Sequence, residues 1–181
     1  VTAGSYTTAD ITVDAQGRIT AAASGTISNA EIANGAVTAA KIATGEDFTF
    51  NSVIVGKGAN SVAGNTVLGE SALDASVSGG DNTAIGQATL TALTSGAGNT
   101  SVGHDSLKSV TTGSRNVALG SGALDAATTI SNLTAVGTGA LSANTSGSSN
   151  VAVGYNCLDA NTTGDSNTAV GQNALGGNTT A

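Results

Sequence analysis

The chain has 181 residues, enough for one ordinary domain, but only 9% are charged, 2% are aromatic, and Pro, Met and Trp are absent, which argues against one thick apolar core. The net charge of −7 comes from 12 acids against five scattered bases (Arg18, Lys41, Lys57, Lys108, Arg115), so there is no basic patch for nucleic acid. The single cysteine, Cys157, excludes an intrachain disulfide framework, and no apolar run reaches the ~18 residues of a membrane span.

Residues 1–24 read as a β-hairpin segment. Ile11-Thr12-Val13 and Arg18-Ile19-Thr20-Ala21 are short β stretches around Asp14-Ala15-Gln16-Gly17, which suits a tight turn. Residues 25–46 read as a connector with short helical turns. Ile27, Ile32, Val37 and Ile42 recur at intervals of five, Ser28 with Glu31 fits a capping box, and Asn34-Gly35 fits a helix stop. Residues 47–64 lead into a repetitive array, with Phe48-Thr49-Phe50 through Val55 predicted as one strand that plugs its start.

Residues 65–181 hold seven copies of one pattern: Asn, a β-branched residue, a small residue, an aliphatic residue, Gly, then Leu four residues on. The glycines fall at Gly69, Gly86, Gly103, Gly120, Gly137, Gly154 and Gly171, and the leucines at Leu73, Leu90, Leu107, Leu124, Leu141, Leu158 and Leu175, every step being 17 residues. A second glycine recurs at Gly79, Gly96, Gly113, Gly147 and Gly164; Ile130 interrupts it, and Leu133 stands where an Asn is expected. Seventeen residues are too few for the helical repeats, which run to about 33–47, and suit one coil of a β-solenoid. The residues before each corner glycine form the strand. Thr66 and Leu68 share one face, and the other is small in later copies: Ala84, Ser101, Ala118, Ala135, Ala152 and Ala169. That small face either meets a neighbouring chain or fills a narrow interior. The Gly-to-Leu segment is a second strand or a helical turn, and the asparagines form a ladder or a turn entry. A solenoid this thin has few sizeable apolar groups per coil to offset backbone ordering, at about 1–2 kcal/mol per residue. The expectation is therefore an all-β, repetitive β-solenoid or β-roll in a parallel homotrimer, with an N-terminal hairpin and connector.

Asn150-Val151-Ala152-Val153-Gly154-Tyr155 and the run from Asn161 to Gly171 resemble the repeats of bacteriophage tail fibre proteins. Gly4-Ser5-Tyr6-Thr7, the run from Ile11 to Thr20, and the run from Gly35 to Ile42 resemble segments of the same family. The Asn-to-Gly strand is more weakly similar to the heads of trimeric autotransporter adhesins, whose repeat is shorter. The resemblance implies a parallel homotrimer in the virion, a shaft that joins other tail proteins and carries a host-receptor-binding tip. It also implies that such repeats often precede a self-cleaving chaperone domain, so the chain is expected to be part of a longer product.

Chemistry is sparse. His104 comes just after a corner glycine and reads as a solvated repeat residue, and Cys157 takes the place of Ala123, Ala140 and Ala174, so it reads as small core. Asp74, Asp125 and Asp159 align, but Thr91, Lys108, Ser142 and Gly176 interrupt the row, which argues against a calcium ladder. No enzyme, cofactor or metal is expected. The leading function is the structural shaft of a viral tail fibre, contributing to host attachment without membrane insertion. The alternatives are a bacterial surface adhesin and an ice-binding solenoid, the latter from the ladder Thr66, Thr83, Thr100, Thr134 and Thr168, which Val117 and Val151 interrupt.

Overall fold

Asp14 organises the first described element. In the computed structural model, which describes residues 9–24, 47–75 and 77–180, strands β1 (Ala9–Val13) and β2 (Ile19–Ser24) pair antiparallel. Asp14 Oδ1 accepts the N–H groups of Gln16 and Arg18 at 3.0 and 2.9 Å, and its carbonyl accepts Gly17 N–H at 2.9 Å. Gly17 adopts φ 78°, which a side chain would resist, and the strands reverse there. The hairpin belongs to a unit spanning Val1–Thr44, and the remainder of the chain, Gly45–Ala181, forms a second unit. The connector with helical turns predicted over 25–46 lies outside the described residues.

The second unit contains a nine-stranded sheet. It begins with β3 (Phe48–Phe50) and β4 (Val53–Gly56), an antiparallel hairpin where a single strand was predicted. The reversal falls at Asn51 and Ser52, both at positive φ (50° and 68°), a two-residue hairpin turn that the phenylalanines and valines around it obscure in the sequence. β4 then pairs antiparallel with β5 (Thr66–Gly69), so the hairpin covers one edge of the parallel stack.

From β5 onward all pairing is parallel: β6 (Thr83–Ile85), β7 (Thr100–Val102), β8 (Val117–Leu119), β9 (Thr134–Val136), β10 (Val151–Val153) and β11 (Thr168–Val170). Each residue pairs with its counterpart 17 positions on, as Ala118 with Ala135. This is a β-solenoid with one strand per coil. Among the described residues there is no α-helix; Ala59–Ser61 is a single 3₁₀ turn.

The small side chains point inward. Ala84, Ser101, Ala118, Ala135 and Ala152 are fully buried within the single chain, as is the ladder Leu73, Leu90, Leu107, Leu124, Leu141 and Leu158. The small face is therefore the solenoid interior, and it is not held in reserve for a neighbouring chain. The case for a trimer that rested on burying it falls away.

The segment from corner glycine to leucine is neither strand nor helix. It is a run of tight turns in which the leucine itself takes a left-handed conformation, with φ between 49° and 55° from Leu90 to Leu158. That conformation costs a non-glycine residue of order 1–3 kcal/mol. It turns the side chain into the core while its N–H bonds the next coil, as Leu107 N to the Ala123 carbonyl at 3.0 Å and Leu141 N to that of Cys157 at 3.0 Å.

Candidate functional site

With the alanines inside, the chain offers two organised features: an internal polar ladder that sets the stacking, and an outer sheet face. The ladder is made by the asparagine that precedes each strand. Asn65 Oδ1 accepts Asn82 N–H at 2.9 Å, and the pattern continues from Asn99 to Asn82 and from Asn116 to Asn99, each at 3.0 Å. The side-chain amides also donate to the carbonyl at the second-glycine place of the coil above: Asn82 to Gly96 at 3.0 Å, Asn99 to Gly113 at 2.9 Å, Asn150 to Gly164 at 2.6 Å, and Asn116 to Ile130, which stands in that place, at 2.8 Å. These asparagines are buried, and among the described residues no buried side-chain polar atom lacks a partner. One residue type thus ties its own coil to its neighbours, so an Asn at this place fixes register.

The corner glycines from Gly69 to Gly154 sit where any side chain would collide with the next coil's backbone, whereas at Gly171, in the last coil, a Cβ would meet nothing closer than Ala174 Cβ at 3.8 Å. From Gly86 to Gly171 their φ values lie between 129° and 140°, and a Cβ on Gly103 would lie 2.6 Å from the Gly120 carbonyl oxygen. The second glycines are equally crowded: a Cβ on Gly96 would run into the Gly113 carbonyl oxygen and lie 2.8 Å from Leu93 Cδ1, and one on Gly113 would run into the Ile130 carbonyl oxygen and lie 2.7 Å from Val110 Cγ2. The side-chain part of that crowding is exchanged at Ile130. Along the coils, Leu93 with Gly96 and Val110 with Gly113 give way to Ala127 with Ile130, so bulk moves from one place to the other within a single buried pocket.

The exchange opens a fault on one side of the stack. Below it, Thr111 N and Oγ1 both donate to the Thr128 carbonyl, Ser114 N donates to Ser131 Oγ, and Leu133 N to Asn116 Oδ1. Above it, Leu133 has no side-chain amide to offer Asn150. Among the described residues, the bonds from Thr128 and Ser131 to the coil above are missing as well. The hydroxyl ladder resumes from Thr145 to Thr162. Past the fault the buried place held by Leu93, Val110 and Ala127 becomes Asn144 and Asn161, which close local turns on Gly147 and Gly164.

The remaining residues singled out from sequence are not brought together. His104 is exposed beside Asp105, with Nδ1 3.4 Å from Oδ2, and Lys108 pairs with the same carboxylate at 3.2 Å. Cys157 is buried among the core alanines, donates to the Ala169 carbonyl at 3.3 Å, and desolvation pushes its thiol pKa up. Asp125 and Asp159 stand two coils apart, about 10 Å along the stack, too far to share an ion. Among the described residues no His, Cys, Asp and Glu side chains form a metal-binding group, and no helix is long and apolar enough to cross a membrane.

The outer face of the parallel sheet carries two columns. Thr66, Thr83, Thr100, Val117, Thr134, Val151 and Thr168 form one; Leu68, Ile85, Val102, Leu119, Val136, Val153 and Val170 form the other. All are at least partly exposed, and Val170 is 71% exposed. The threonine column is visible in the sequence. The unbroken aliphatic column beside it is easier to miss, although the two-residue alternation within each strand implies it. No protein-family model, curated protein or solved structure matches this chain.

Proposed function

We propose that this chain is a non-catalytic structural segment of a viral tail fibre, a shaft that spaces and stiffens the fibre used in host attachment. The observation that carries this reading is the in-register stack itself. Seven parallel strands each meet their counterpart 17 residues on, and the buried asparagine amides fix that register. Such a stack gains length and stiffness by adding coils, and it needs no substrate. The sequence resemblance to phage fibre segments, which runs from the hairpin to the last repeat, supplies the viral context. In this reading the chain works in the virion as a parallel homotrimer, meets other tail proteins along the fibre, and leaves receptor recognition to an irregular tip.

The test is the solution mass of the purified chain by light scattering, with negative-stain imaging of the same sample. A mass of three chains in a thin rod is expected. A folded monomer would remove the trimer from the proposal.

A further inference from the structure

We infer that Ile130 divides the solenoid into two blocks, and that the coils from Thr145 to Thr180 open together as one unit while those before them stay folded. This stands apart from the fibre reading and holds whether or not copies associate. Four links recur on the return side of the stack. Just before the fault they run from Thr111 N to the Thr128 carbonyl at 2.7 Å, Ser114 N to Ser131 Oγ at 2.9 Å, Asn132 N to the Ser114 carbonyl at 3.1 Å and Leu133 N to Asn116 Oδ1 at 3.0 Å. One coil earlier the same links start from Thr94, Ala97, Arg115 and Asn116. Past the fault they return, from Thr145 N to the Thr162 carbonyl at 3.0 Å, Ser148 N to Asp165 Oδ1 at 2.6 Å, Ser166 N to the Ser148 carbonyl at 2.9 Å and Asn167 N to Asn150 Oδ1 at 2.8 Å. At the step between, the corresponding donors are Thr128, Ser131, Ser149 and Asn150, and among the described residues none of their N–H groups reaches across.

Ile130 supplies the cause. At Gly79, Gly96, Gly113 and Gly147 an added Cβ would run into the carbonyl of the next coil, so coils close on this side only over a glycine. Ile130 carries that Cβ, and it holds its own coil and the coil of Gly147 apart as a wedge. The sheet and the leucine turn still join the two, through β9 with β10 and through Leu141 N to the Cys157 carbonyl at 3.0 Å. In a stack whose stability is a sum of coil and nearest-neighbour terms, the weakest interface sets where cooperativity breaks. The two blocks also differ in support. The first has the β3–β4 hairpin over its end. The second ends with Leu175 51% exposed and Val170 71% exposed. It also buries Asn144 and Asn161, each bonded within its own coil, where the first block buries Leu93 and Val110.

The experiment is native-state hydrogen exchange on the full chain, resolved by peptide, for the parent and for the repaired variant Ala127→Val, Ile130→Gly, Leu133→Asn. The repair copies Val110, Gly113 and Asn116 into the faulted coil. In the parent, amides bonded between coils in 145–180 are expected to share one rate, at least about tenfold faster than those in 65–127. The repair is expected to slow 145–180 by at least about tenfold and to leave 65–127 unchanged. A smooth gradient of rates toward Thr180 would mean ordinary fraying and would overturn the inference. So would a single rate for both blocks, or a folded repaired variant whose 145–180 rates match the parent's. Should the repaired variant fail to fold, the parent decides alone: a step in protection at the fault sustains the two blocks, and a gradient or a common rate removes them.

Discussion

Between Asn116 and Leu133 the return side of the solenoid is closed; between Leu133 and Asn150 it is open. At the closed step the Asn116 amide spans both coils, accepting Leu133 N–H at 3.0 Å and donating to the Ile130 carbonyl at 2.8 Å, with Thr111 and Ser114 bonding alongside. At the open step those links are absent, yet β9 and β10 still pair in full and Leu124 N still reaches the Ala140 carbonyl at 3.1 Å. Register is thus held by several parallel ladders, and one of them can be cut on one side without loss of stacking. What replaces it is apolar: Ile130 and Leu133 are both buried, where other coils bury an asparagine and a glycine. Polar pairing and apolar filling exchange here because both members change together, which leaves no buried side-chain polar atom without a partner among the described residues, although the Asn150 N–H gives up its acceptor.

A corner is where either step would fail most severely. Gly120 has φ 134°, and a Cβ there would lie 2.6 Å from the Gly137 carbonyl oxygen. Gly120→Val is expected to cost more than about 4 kcal/mol or to abolish folding, measured by urea denaturation. Gly122→Ala, at φ 63° with no atom within 4 Å of its Cβ, should cost only about 1 kcal/mol.

The volume exchange is tested by moving the fault down one coil. Gly113→Ile alone should destabilise by more than about 3 kcal/mol, because the Ile130 carbonyl and the Val110 side chain both stand in the way. Adding Val110→Ala should restore only about 1 kcal/mol of that loss, since the contact with the Ile130 carbonyl remains, a coupling read from the double-mutant cycle. Additivity of the two changes would sink the explanation of Ile130. The ladder itself is tested by Asn99→Leu. It removes the acceptor of Asn116 N–H and the donor to the Gly113 carbonyl, and should cost about 2–3 kcal/mol when Gly96 is left in place.

Hydrogen exchange provides a gentler measure. Amides of Ser131 and Asn150, at the open step, should exchange at least about tenfold faster than those of Ser114 and Asn116, which the closed coils hold. Equal protection would mean that the fault is not a local weakness.

The smallest effect concerns pH. Ser148 N–H, and then its hydroxyl, donate to Asp165 and hold that carboxyl below its ordinary value. A lowered folded-state pKa stabilises the fold above the unfolded value and ceases to do so as pH falls through the folded one, so the contribution fades below about pH 4. Asp165→Asn should flatten that acid limb of thermal stability, slightly, because the group is exposed.

Much of the molecule was legible because it repeats. Steps of 17 between glycines, leucines and asparagines give the coil length, the parallel register and the corners without any structure, since stacked coils superpose equivalent residues. The hairpin around Asp14 was equally plain from its turn residues. The strand reversal at Asn51-Ser52 was not, because neither residue compels positive φ. Nor was the left-handed leucine, which no local preference favours and which only burial in the coil interior sustains.

Sequence alone determined that this protein is a stack of equal β coils, because periodicity is a property of the chain. Which face of each strand lies inside was decided by tertiary structure. Alternation separates alanine from threonine and valine, but it does not say which set the coil encloses. The turns after each corner glycine leave room for one leucine against one methyl group, so the alanines go in and the aliphatic column remains outside.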